Sequence, residues 1–174
     1  MEPSGESGVA SSRVGAPSRM TSPAHISAQQ LKWDFRFLSV ARLISSWSKD
    51  PSTKTGAVIV AADRRIISTG YNGFPRGVLD HEARYANREE KYKIVVHCER
   101  NAMLFCRESL AGATLYTWPF LSCSQCAGML IQSGIARHVA PRSENERWSE
   151  HVQMTLQLLA EAGVGLDLLE YPTT

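Results

Sequence analysis

His97-Cys98-Glu99-Arg100-Asn101-Ala102, answered downstream by Ser122-Cys123-Ser124-Gln125-Cys126-Ala127, is the pair of stretches on which the reading of this chain turns. One histidine and two cysteines offer three ligands suited to zinc. A tetrahedral ion held by three protein ligands keeps one position open, and an open position is where water is activated. Glu99, two residues after His97, is placed as a base beside that position. A closed structural site needs a fourth ligand, and the candidates are poor. Cys98 neighbours His97, so on a helix its side chain points about 100° away. Cys106 falls roughly 13 Å further along an unbroken helix. His81 and His138 belong to no ligand-like pair. A redox dithiol is the other reading of C-x-x-C, but here the pair opens an apolar helix and has an H-x-E partner upstream.

Both motifs read as helix beginnings. Ser122 and Gln125 have the spacing of a capping box, with Ser122 as the cap. The apolar run Ala127-Gly128-Met129-Leu130-Ile131 follows as a buried helix, and Gly134 ends it. Val95-Val96 leads into His97, and Ala102, Met103 and Phe105 continue a second apolar helix. Two helix N-termini converging on one ion favour thiolate ligands, because the positive ends of the dipoles stabilise negative charge.

Outward from the motifs, Trp33, Phe37, Val40, Ile44 and Trp47 recur at helical spacing, and Ser48-Lys49-Asp50-Pro51 breaks that helix. Gly56–Val60 and Arg65–Thr69 are strand-length runs joined by a hairpin at Ala62-Asp63-Arg64. Thr114–Thr117, Arg137–Ala140 and Gly165–Leu169 are further strands, with an amphipathic helix through Val152, Leu156, Leu159 and Ala160 before the last. A hairpin followed by strand–helix alternation predicts an α/β fold of three layers (α/β/α), a mixed five-stranded sheet with helices on both faces. The charged stretch 73–93 has no period and reads as a long loop lining or covering the site.

The 174 residues, 43% hydrophobic and 21% charged, suit one domain with an ordinary core. A net charge of +2, with no basic stripe interleaved with aromatics, argues against nucleic acid as a partner. Four cysteines with no disulfide pattern point to a reducing cytoplasm, and no apolar stretch approaches a membrane span. Residues 1–25, rich in Ser, Gly, Pro and Ala, are expected to be a disordered N-terminal segment.

H-x-E…C-x-x-C is the signature of zinc-dependent nucleobase deaminases. With Ser48-Lys49-Asp50-Pro51, Gly56-Ala57 and Gly70-Tyr71-Asn72-Gly73-Phe74-Pro75 added, residues from about 30 to 170 resemble the deoxycytidylate (dCMP) deaminase family. The resemblance implies a cytidine-deaminase-like fold and a zinc-dependent deaminase domain over 26–174. It implies one catalytic Zn²⁺ held by His97, Cys123 and Cys126. Glu99 would carry protons from water to N3 and to the leaving amine, turning dCMP into dUMP and ammonia. It further implies a homo-oligomer (dimer or hexamer) and dCTP or dTTP as regulators, with Mg²⁺ accompanying the regulatory nucleotide.

Asn72 is the matching sugar contact, although Asn-Gly is also a plain turn dipeptide. Trp118 and Phe120 could wall the base or simply fill the core. Lys49, Lys54 and Arg76 are candidate phosphate contacts that read equally as solvated surface. Cys98 stands where the family usually has Ala, and its backbone N–H is expected to reach the pyrimidine. Ser122 stands where the family usually has Pro.

Overall fold

A computed structural model describes residues 26–143 and 149–171. The expected disordered segment, 1–25, lies outside the described residues. Strands β1 (Gly56–Val60), β2 (Ile66–Tyr71), β3 (Thr114–Trp118), β4 (Arg137–Pro141) and β5 (Gly165–Leu169) form one sheet in the order β2-β1-β3-β4-β5. β1 is antiparallel to both β2 and β3, whereas β3, β4 and β5 run parallel. This is the mixed five-stranded sheet that the strand-length runs predict.

β1 lies between two strands and under helices on both faces, so all five of its residues are buried. Its side chains divide the core by the period of two. Val58 and Val60 join Phe37, Leu38, Ala41 and Ile44 of α1 (Ala28–Ser45) on one face. Ala57 and Ile59 join Cys98 and Ala102 of α4 (Cys98–Phe105) and Leu130 of α5 (Ser124–Gln132) on the other. α6 (Ser149–Glu161) packs beside α5 and β5. Two glycines allow the helices to come this close: a Cβ on Gly56 would collide with the Ala41 carbonyl oxygen, and one on Gly70 with Ala102 N and Cys98 O.

Arg137 fastens α1 to the far strands. Its guanidinium gives 2.8 and 2.7 Å bonds to the two oxygens of Asp34 on α1, and its Nε reaches Asp167 of β5 at 2.6 Å. Burial pushes the Asp34 carboxyl up, but Arg137 and the Tyr116 hydroxyl outweigh it and hold it below its usual value. The buried face of α1 is Asp34, Phe37, Leu38, Ala41, Ile44 and Ser45, and Trp33 and Val40 of the predicted stripe pack partly buried against the same core. Trp47 lies past the helix end, 55% exposed, with its ring against Tyr71.

The stretch 73–93 is not the long loop expected. It holds two short helices, α2 (Glu82–Ala86) and α3 (Arg88–Ile94). His81 Nδ1 accepts from Ala83 N at the start of α2, and Asn87 Oδ1 accepts from Glu90 N at the start of α3. Asn87 followed by Glu90 is itself a helix-start signal, masked in the sequence by the missing apolar period. Among the described residues no helix is long and apolar enough to cross a membrane.

Candidate active site

Every element that reaches the site does so at one edge of the sheet. Thr55, just before β1, and Asn72, just after β2, lie there with Trp118 and Pro141 at the ends of β3 and β4 and Leu168 near the end of β5. All five line one cavity of about 140 Å³. Ligands in α/β sheets favour this location, because the strand ends leave backbone and loop groups free to converge. Trp118 and Phe120 stand in the wall, as the sequence allowed.

α4 and α5 begin at the same edge, and the residue at each helix's N-cap is a candidate metal ligand. His97 precedes α4 and Cys123 precedes α5, each with extended backbone and no side-chain capping bond. Cys126 follows one turn into α5. The Sγ atoms of Cys123 and Cys126 each lie 3.5 Å from His97 Nδ1. A zinc ion with its usual bond lengths to one nitrogen and two sulfurs spans a nitrogen–sulfur edge of about 3.6 Å. The donor triangle therefore fits zinc. Among the described residues it is the one such cluster of His, Cys, Asp and Glu.

The electrostatics match a ligand set. Hydrogen bonds from Cys126 and His97 hold the Cys123 thiol well below its usual value against burial, while its bond to Cys123 and burial push Cys126 up. Hydrogen bonding to Cys123 raises His97. Glu99, 5% exposed, lines the cavity next to this triangle. Cys98 is buried among Ala57, Ile59 and Ala102 and is no ligand. His81 and His138 are engaged elsewhere, and Cys106 faces the Ile67 and Glu108 carbonyls.

Ser122 does not cap α5. The cap position is Cys123, one residue later, and the Gln125 amide oxygen instead accepts from Arg100, tying α5 to α4 at 2.8 Å. Ser122 Oγ lies 3.4 Å from His138 Nε2, and its carbonyl accepts from the Thr155 hydroxyl at 3.0 Å. Thr117 donates to the Phe120 carbonyl, so the 3.0 Å contact between Thr117 Oγ1 and His138 Nε2 must carry the histidine proton. That leaves Nδ1 buried without a partner, and burial pushes His138 down to about 3. The end of α5 is as expected: Gly134, at φ +81°, donates to Ile131 O, and Ile135 N reaches back to Leu130 O, a Schellman motif.

Asn72 lines the cavity, but its amide is already engaged. Oδ1 accepts from Thr55 N at 2.8 Å, and Nδ2 donates to Thr53 O at 2.8 Å and weakly to Asp50 Oδ2 at 3.4 Å. Lys49 is not brought to the cavity. Its ammonium pairs with Asp80 in solvent at 2.7 Å. Lys54 is exposed, and Arg76 lies over the Phe105 ring.

The cation that does line the cavity is Lys91, and sequence reasoning missed it. Its Nζ lies 2.7 and 2.9 Å from the two Asp50 oxygens and 2.6 Å from Ser52 Oγ, with both partners of the ion pair buried. Burial pushes the Asp50 carboxyl up, but Lys91 and the Ser52 and Thr53 N–H groups outweigh it and hold it below the usual range.

The family model of the cytidine and deoxycytidylate deaminase zinc-binding region matches residues 31–141. An uncharacterised deaminase of Aliivibrio fischeri is 42% identical over 136 residues, covering 76% of this chain and 90% of that relative. The deoxycytidylate deaminase of Mus musculus is 35% identical over 140 residues, covering 77% and 78%. The dCMP deaminase of cyanophage S-TIM5, solved with dCMP and dUMP, superposes with a TM-score of 0.64 at 24% identity, over 83% of this chain and 100% of that one. That likeness shows a common fold.

Proposed function

The chain belongs to the cytidine and deoxycytidylate deaminase family, and from that premise we propose that it hydrolyses the 4-amino group of a cytosine nucleotide, converting dCMP and water into dUMP and ammonia. One observation carries the reading: Glu99 lies beside a zinc-sized triangle of His97, Cys123 and Cys126 in an aromatic-walled cavity. Those three residues would hold the ion. Bound there, zinc supplies a Lewis acid that brings the pKa of a water toward neutrality.

The chain's own groups do the rest. Glu99 accepts one proton from the attacking water and delivers it to N3. It then passes the second to the 4-amino group, which leaves as ammonia as the C4 carbonyl forms. Cys98 N–H, at the first position of α4, lacks an intrahelical partner and can donate to the pyrimidine. Trp118 and Phe120 flank the ring and exclude water. Asn72 can turn the hydrogen it shares weakly with Asp50 toward a sugar hydroxyl.

Self-association belongs to the same reading. Leu43, Trp47, Leu104 and Phe105, each more than half exposed, support it, and light scattering of the purified protein tests it. Regulation by dCTP or dTTP with Mg²⁺ is tested by adding them to the assay.

The decisive experiment pairs zinc analysis with ammonia release from dCMP, CMP, deoxycytidine and cytidine. Glu99→Gln should keep its zinc and lose turnover by about 10²–10⁴-fold. Deamination retained in that variant would overturn the mechanism. Turnover of unphosphorylated nucleosides alone would overturn the nucleotide assignment.

A further inference from the structure

The residue between His97 and Glu99 is a cysteine. Cys98 is 2% exposed and lines the cavity. Its Sγ–H donates to Glu99 Oε2 at 3.2 Å.

Glu99 is in the first turn of a helix whose cap, His97, makes no side-chain capping bond. Its carboxylate must serve two protons at two places on the ring. A carboxylate turning freely about its last torsion would spend much of its time with neither oxygen correctly aimed, and reactivity falls steeply with such misplacement. An S–H donor is weak when neutral, but a carboxylate acceptor strengthens it. Tethering Oε2 restricts that rotation and leaves Oε1 for the proton.

We propose that the Cys98 thiol is a positioning residue for Glu99, holding one carboxylate oxygen so that the other is aimed for proton transfer. The inference rests on Glu99 being the proton carrier and adds to it a role for the side chain beside it. It differs from the part given above to the Cys98 backbone N–H, which any residue here supplies.

Two substitutions in the zinc-loaded protein separate the side chain from the backbone. Cys98→Ala keeps the N–H, fits the space and removes the donor. Cys98→Ser restores an O–H donor. Cys98→Ala should lower kcat for dCMP about 3–10-fold, the share expected of one weak hydrogen bond to a charged group. KM should stay within about 2-fold and zinc content unchanged, because the bond acts on the proton carrier rather than on substrate binding. Cys98→Ser should recover most of the lost kcat. A merely structural thiol would change thermal stability and leave kcat alone. An unaltered kcat in Cys98→Ala overturns the proposal, as does a serine variant as slow as the alanine one. If the parent protein releases no ammonia from any of the cytosine compounds, the deaminase reading itself falls and this role with it. Normal parental turnover without the kcat loss sinks this role alone.

Discussion

The two helices that carry the candidate ligands start alike and are held differently. α4 and α5 both begin at a residue that would bind metal rather than cap the helix. The approach to α4 runs through α3 and is anchored by charge: Lys91 on α3 is buried against Asp50 and Ser52, and Val96 then pairs with Gly73 in an isolated bridge before His97. The approach to α5 is anchored by neutral groups, with Thr117, His138, Ser122 and Thr155 forming a buried belt under the loop that ends in Cys123. A buried ion pair is costly to break, because removing one partner strands the other charge. A neutral belt containing a histidine is cheaper to break and sensitive to acid. The two halves of one site should therefore fail under different conditions.

The largest effect is expected on the charged side. Lys91→Met removes one partner and strands Asp50 in the interior, a change that typically costs about 3–5 kcal/mol. Because α3 leads directly into His97, zinc affinity should fall with stability. Replacing both partners, as Lys91→Met with Asp50→Leu, should restore part of the stability, since an apolar pair has no stranded charge. Urea unfolding of the single and double variants, with zinc titration of each, checks both statements. A single variant within about 1 kcal/mol of the parent would show that the clamp contributes little, against the usual cost of a stranded charge.

Much of this architecture was legible from local pattern. All five strands were placed within a residue or two, because short apolar runs ended by turn residues leave little else possible. The triangle of His97, Cys123 and Cys126 follows from ligand spacing, and Gly134 from its place after an apolar run. Two kinds of feature were missed: the short helices α2 and α3, which carry start signals but no apolar period, and whatever depends on residues far apart in the chain. Lys91 and Asp50 are separated by 41 positions, and neither carries a mark that predicts the pairing. Ser122 had the spacing of a cap, but His138 and Thr155, 16 and 33 positions away, turn it into a bracing residue and move the cap to Cys123. Lys49 sat in a turn that resembles the family's, yet its side chain points to Asp80. Local pattern located the candidate ligands and was silent about what holds them.

The next effect belongs to the neutral side and appears as a pH dependence. His138 is held down to about 3 in the folded protein by burial, against an ordinary value of 6.5. Between those limits the unfolded chain binds a proton that the folded chain does not, so stability falls as pH falls. The slope is about 1.4 kcal/mol per pH unit. From pH 6.5, where the unfolded histidine is half protonated, to pH 5 this amounts to about 1.6 kcal/mol. His138→Gln, whose amide N–H can still donate to Thr117, should lose that share of the acid sensitivity. Comparing parent and variant at both pH values cancels the protonation of the metal ligands, which is common to the two. Equal pH slopes would mean that His138 takes up a proton in the folded state.

The smallest effect isolates one bond of the belt. Thr155→Val on α6 keeps the shape of the side chain and removes the hydroxyl that donates to the Ser122 carbonyl at 3.0 Å. A neutral hydrogen bond of this kind contributes about 0.5–1.5 kcal/mol net. The loss should therefore be smaller than that from Lys91→Met and should not change between pH 7 and 5. Its informative readout is position rather than stability. If the belt sets the Cys123 loop, Thr155→Val should weaken zinc binding measurably while leaving the His97 side intact. If α6 merely covers α5, stability should drop with zinc affinity unchanged, and the α5 ligands would then be placed by the helix itself rather than by the loop that precedes it.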